Sequence, residues 1–198
     1  MKVPPIAQLV LLFFLGGVFL HFLLAAARTF VSSGMSDDRG AAYAQGAFVF
    51  GGTCVVWFLG LRQQIPLPNG IAAAAVLVMS IALYEWARHV IWKRGFRAAW
   101  SGFVPEELCE RGPYRYVRHP VYASYLLAFL AAAIALPHPL TAAIFVVNVL
   151  LLNHAVRDEE RAIAASPLAA GYADYRERAG MFWPRFRPAR FSRSGPDR

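Results

Sequence analysis

Charge is what this sequence has least of. Only 16% of its 198 residues are Asp, Glu, Lys or Arg, while 58% are hydrophobic; a soluble domain carries about 25% charged residues. So few charges cannot cover a water-facing surface, which excludes a soluble globular enzyme. Cysteine is scarce as well. Cys54 and Cys109 alone supply neither a disulfide framework nor a four-ligand zinc site. No GxxxxGK[ST] loop, no GxGxxG turn and no metal-ligand spacing occurs in the chain, so neither a phosphate-loop enzyme nor a metal site is expected. There is no internal repeat. The length suits a single unit of about 100–200 residues. What remains is a multi-pass integral membrane protein.

The hydrophobic runs set its architecture. A bilayer core of about 30 Å needs roughly 20 apolar residues per helix, and five segments approach that length: 6–27, 41–61, 70–92, 121–136 and 140–156. The first is too long for a signal peptide and has no convincing small-residue cleavage site. Pro137-His138-Pro139 turns the fourth directly into the fifth. The expected fold is therefore an all-α membrane protein of about five transmembrane helices, the last two a tight antiparallel hairpin, followed by a C-terminal segment. Residues 1–92 hold the first three helices, and 93–198 form a functional region with the hairpin. Both belong to one structural unit.

The formal net charge of +8 raises the question of nucleic acid. Of 20 Lys and Arg, six fall between Lys93 and Arg118 and nine between Arg157 and Arg198. These polar segments border apolar runs and also carry Glu106, Glu107, Glu110, Asp158, Glu159 and Glu160, which would repel a phosphate backbone. Such clustering follows the positive-inside rule. It predicts a cytoplasmic C-terminus, an external N-terminus and no nucleic-acid partner. The minimal extramembrane parts lean toward a bacterial inner membrane. Residues 187–198 read as a disordered tail.

Two clusters are dense enough to carry chemistry. In RGPYRYVRHPVY, residues 111–122, Gly112-Pro113 breaks a helix and Pro120 suits the first turn of the next. His119 then sits at the mouth of the fourth span, beside Tyr114, Arg115, Arg118 and Tyr122. Tyr and Arg also populate ordinary membrane interfaces, but the whole string abuts a helix N-terminus that attracts carboxylates and phosphates. The second cluster is Asn153, His154, Arg157, Asp158, Glu159, Glu160 and Arg161, at the end of the fifth span. The simplest pairs there are Arg157 with Glu160 and His154 with Asp158. Three acids at a helix C-terminus oppose the helix dipole, which favours a cationic partner. Asn148 reads as helix–helix glue, as do the pairs Gly16-Gly17 and Gly51-Gly52. Glu85, one turn before Arg88 and His89, can be neutralised within its own helix.

From these clusters the chain resembles the isoprenylcysteine carboxyl methyltransferase and phospholipid methyltransferase superfamily of integral membrane enzymes. The resemblance runs from Arg94 to Phe186. It rests on GPYRYVRHPVY (112–122), the hairpin, Glu159-Glu160, Tyr172-x-x-Tyr175 and Pro184-Arg185-Phe186. It implies an S-adenosylmethionine site on the cytosolic side, contacted by Tyr114, His119, Pro120, Val121, Tyr122, Glu159 and Glu160. It also implies methyl transfer to a lipophilic acceptor: a prenylcysteine-type carboxylate, a lipid amine or a thiol. A sulfonium cation suits carboxylates and aromatic faces, and methyl transfer in one displacement needs alignment more than a nucleophile. The pattern departs from the family at Ser124, where Gly is common, at Glu106, where His is frequent, and at Ala155, where a substrate-linked Arg is usual. His154 and Arg157 are the candidates to replace that Arg as catalytic or acceptor-side groups. Pro167-Leu168 and one extra residue replace the FG before the paired tyrosines. Two alternatives stand beside the methyltransferase: a membrane reductase of related fold using NADPH, and a non-enzymatic membrane protein.

Overall fold

The computed structural model describes residues 1–33, 39–92 and 107–185. It contains six helices: α1 (Pro5–Ser33), α2 (Arg39–Arg62), α3 (Leu67–Trp92), α4 (Pro120–Ala135), α5 (Pro139–Ala164) and α6 (Ala169–Arg178). A short 3₁₀ turn, Gly112–Arg115, precedes α4. No strand occurs among the described residues. Residues 93–106, with Glu106, and residues 186–198, with Phe186 and the C-terminal tail, lie outside them.

Among the described residues, three helices are long and apolar enough to cross a membrane: 5–22 within α1, 67–91 within α3, and α5 over 139–164. The other two expected spans have shorter apolar helical stretches, 46–62 in α2 and 120–135 in α4. The helix bounds also move. α3 starts inside the IPLPNG breaker, because Pro68 falls in its first turn, where a missing N–H costs nothing. α5 runs past the expected end at Val156 to Ala164. Its polar end is held by local pairs: Arg157 Nε to Asn153 Oδ1 at 3.1 Å and Arg161 to Asp158 at 2.7 Å. Asp158, Glu159 and Glu160 therefore lie ahead of the final turn, which removes the dipole conflict expected for them.

α1 shows how an almost uniformly apolar helix chooses a face. Leu11, Leu12, Leu15, Val18, Phe19 and Phe22 are buried, at the i, i+1, i+4, i+7 spacing of one helical stripe, while Phe13, Phe14 and Leu20 point outward. A helix hydrophobic all round is at home in lipid, where close packing replaces water exclusion as the force between helices. Gly16 gives that closeness against the Trp57 indole, and Gly52 does so against Ile144; Gly17 and Gly51 face open space. One glycine of each pair therefore acts as expected.

Polar groups stitch the bundle at both ends. The Gln8 amide donates to the carbonyls of Gly60 (2.7 Å) and Gln63 (2.8 Å), and its oxygen accepts from Ile65 N (3.1 Å). The backbone of Val3 also donates to Ile65 O at 2.8 Å. Ser80 Oγ donates across to Ser124 O at 2.7 Å, which locks α3 to α4. The α4–α5 hairpin closes through Thr141, whose hydroxyl donates to Leu136 O at 2.6 Å and accepts from His138 N. Asn148 is fully buried and donates to Ile144 O of its own helix. Arg88 Nε donates to Glu85 at 2.9 Å, one turn away, as expected for an intrahelical pair.

Candidate functional site

The site begins with a turn that favours glycine. Gly112 has φ +58, in the left-handed region that side chains disfavour, and a Cβ there would crowd Val90 and Trp86 of α3. The 3₁₀ turn closes at Tyr116, and Val117 and Arg118 then lead into α4, with His119 as N-cap and Pro120 at its start. The segment following α6 lies beside it. Val117 and Gly180 form an isolated parallel bridge. Three backbone bonds join the two segments: Arg118 N to Gly180 O at 2.7 Å, His119 N to Met181 O at 3.1 Å, and Gly180 N to Tyr116 O at 3.0 Å.

The paired glutamates of α5 meet this clasp. Arg118 Nε donates to Glu160 Oε1 at 2.9 Å. The His119 ring lies between the two acids, with Nε2 at 3.3 Å from Glu160 Oε1 and Nδ1 at 3.8 Å from Glu159 Oε2. Arg176 Nε approaches the other Glu160 oxygen at 3.7 Å. Glu160 is therefore enclosed by positive charge. Its neighbour Glu159 is hydrogen-bonded to the Tyr122 side chain. Yet Glu159 Oε2 is shielded from solvent and accepts no hydrogen bond among the described residues. A shielded carboxylate oxygen without a donor is costly and suits a cationic ligand group.

Aromatic groups complete the surroundings. The Tyr122 ring stacks near His119, with centroids 5.8 Å apart. Tyr122 in turn borders a cluster of Tyr125, Tyr84 and Phe22, with Phe22 and Tyr125 centroids 4.3 Å apart. The Tyr175 hydroxyl donates to Tyr114 O at 2.6 Å, which pins the 3₁₀ turn to α6. Burial holds the Tyr114 phenol well above its ordinary range, so it stays protonated and available as a donor. Burial and the adjacent Glu160 charge do the same to Tyr172. Tyr172 and Tyr175, both buried, occupy one face of α6 at i, i+3.

Tyr114, His119, Pro120, Val121, Tyr122, Glu159 and Glu160 thus converge, although Glu160 is committed to Arg118 and His119. His154 and Arg157 do not join them. They lie on the exposed side of α5; His154 pairs with Asp158 at 3.3 Å as expected, while Arg157 bonds Asn153 in place of Glu160. Sequence reasoning passed over the central place of Arg118 and the segment Ala179–Phe182. The available signal was Gly180-Met181-Phe182-Trp183, a glycine-led apolar run among arginines. Among the described residues, no group of three His, Cys, Asp or Glu side chains is arranged to hold a metal.

This is a helical integral membrane protein whose chemistry-bearing residues gather at one end of its α4–α5 hairpin. Residues 73–165, just under half of the chain, match the model of the isoprenylcysteine carboxyl methyltransferase (ICMT) family. No curated protein and no solved structure matches the chain.

Proposed function

We propose that the protein transfers a methyl group from S-adenosylmethionine to a lipophilic acceptor at the membrane. The observation that carries this reading is the shielded, undonated Oε2 of Glu159, 3.8 Å from His119 and beside Tyr122. When bound, S-adenosylmethionine supplies a methyl group already activated on a sulfonium. The residues that would hold it are Tyr114, the stretch His119–Tyr122 and Glu159: a carboxylate for its positive charges, aromatic faces for the sulfonium and a protonated phenol as donor. Glu160 acts here on the protein, keeping His119 and Arg118 in place. No residue need form a covalent intermediate. The chain's work is to align the partners and keep water away, and the buried clasp and aromatic cluster suit both tasks.

The acceptor is a lipid or lipophilic small molecule that enters from the bilayer; a carboxylate of prenylcysteine type, an amine or a thiol each meets that description. His154 and Arg157 are the groups of α5 left for the acceptor side. Residues 93–198 act as the cofactor region against the helices of 1–92. α2 and α4 complete a five-span topology with the C-terminus in the cytoplasm, suited to a bacterial inner membrane. Equilibrium binding of S-adenosylmethionine to the detergent-purified protein, with S-adenosylhomocysteine as competitor, tests the reading. Saturable, competable binding is expected, and its absence in a folded, monodisperse sample would remove the cofactor.

A further inference from the structure

Arg118 ties together segments that carry the site. Its guanidinium is buried, and it spends its donors on three acceptors in two other segments of the chain. Nε reaches Glu160 on α5, while Nη1 reaches the carbonyl of Ala179 and, at 3.4 Å, that of Arg176. The two carbonyls lie at the end of α6, where the chain turns into Ala179–Phe182. That strap then lies along Tyr116–His119 through the three backbone bonds given above. Met181 and Phe182 pack on Tyr122, Leu126, Leu152 and Val156. One face of the strap thus covers the side chain that bonds Glu159.

A second, independent feature fixes the same strap. A Cβ on Gly180 would fall onto the carbonyl oxygen of Trp183, with Arg185 also nearby. The chain therefore doubles back so closely that position 180 admits no side chain, and the obstacle is backbone, which cannot rotate away. Gly180 needs no unusual φ for this; close approach alone demands it.

We propose that Arg118 is a positioning residue that latches the strap Ala179–Phe182 over the cofactor site, with Glu160 as its counter-charge. The inference rests on the cofactor reading above and goes beyond it. It assigns the two adjacent glutamates different work: Glu159 faces the ligand, whereas Glu160 faces the latch. Planar, forked reach matters more than charge here, since one guanidinium serves a carboxylate through Nε and two carbonyls of another segment through Nη1. Lysine, a point charge on a flexible stem, cannot reproduce that fork.

The test uses the full chain in detergent, with Arg118→Lys and Gly180→Ala as separate variants. Two quantities are read: amide hydrogen exchange at Arg118, His119 and Gly180, and the affinity for S-adenosylmethionine. Each variant should speed exchange at those amides by at least tenfold and weaken cofactor binding by about tenfold. The double variant should be little worse than the weaker-binding single one, because both release the same strap. Glu159→Gln, in contrast, should weaken binding with exchange at the strap unchanged. Faster exchange with undiminished binding in Arg118→Lys would overturn the positioning role, as would unchanged exchange in both variants. A wild-type protein that binds no S-adenosylmethionine would instead overturn the cofactor reading, and the exchange data would still report whether Arg118 latches the strap. Gly180→Ala leaves the Arg118–Glu160 pair intact, so it answers the question if Arg118→Lys does not fold.

Discussion

Arg118 and Glu160 form a buried ion pair, Nε to Oε1 at 2.9 Å, with both side chains less than one-tenth exposed. The two residues are 42 positions apart and belong to different segments, so the pair exists only when the entry to α4 and the end of α5 have come together. It reports the assembled site.

Glu160→Ala should therefore be strongly destabilising. It leaves the Arg118 guanidinium buried without its counter-charge, a loss of roughly 3–5 kcal/mol for such pairs. Thermal unfolding in detergent reads it directly. A melting temperature equal to wild type would mean that the pair contributes nothing to the fold.

Glu159→Gln should behave in the opposite manner. The substitution is close in shape and touches no ion pair shorter than 3.8 Å, so stability should change little. Loss of a charge-assisted contact of about 1.5–3 kcal/mol should weaken S-adenosylmethionine binding roughly tenfold to a hundredfold. Titration calorimetry on the same sample that gives the melting curve separates the two effects.

Gly112→Ala should cost about 1–3 kcal/mol, from a left-handed backbone and from crowding against Val90 and Trp86. The damage should be local to the junction of α3 with the 3₁₀ turn. A shifted Trp86 fluorescence spectrum together with a lower melting temperature checks it, and a neutral result would contradict the positive φ.

Gln8→Leu tests the far end of the bundle. It removes the partner of the buried Ile65 amide and of two carbonyls, at an expected cost of about 1–3 kcal/mol. Hydrogen exchange at Ile65 should accelerate, while S-adenosylmethionine affinity stays at the wild-type value because Gln8 lies far from the clasp along the chain and contacts none of it.

How much of this was legible beforehand depends on the range of the interaction. The hairpin was readable because Pro137-His138-Pro139 is a local signal, and the placement of Pro120 in a first helical turn was readable for the same reason. The length of α5 was misjudged, since charges that end a hydrophobic run do not end a helix when Asn153–Arg157 and Asp158–Arg161 can pair along it. The start of α3 was missed because proline breaks a helix interior but is tolerated in a first turn. His119 and the glutamates stand in the sequence as two separate clusters, and the fold brings the His119 ring within 3.8 Å of Glu159 and 3.3 Å of Glu160. The pairing partner of Glu160 was not legible. A glutamate three residues after Arg157 suggests a helical pair, and nothing in local sequence reveals that Arg118 competes for it across 42 residues.

The length of α4 has a consequence for depth. Its 16 residues span about 24 Å at about 1.5 Å per residue, less than the roughly 30 Å thickness of a hydrocarbon core. Were α4 the fourth span proposed above, with its Ala135 end at one boundary, its His119 end would stop about 6 Å short of the other. The reacting centre would then be a dimple sunk beneath the headgroups. On the methyltransferase reading proposed above, a water-soluble donor would descend into it, whereas an acceptor dissolved in the leaflet would already lie at that height.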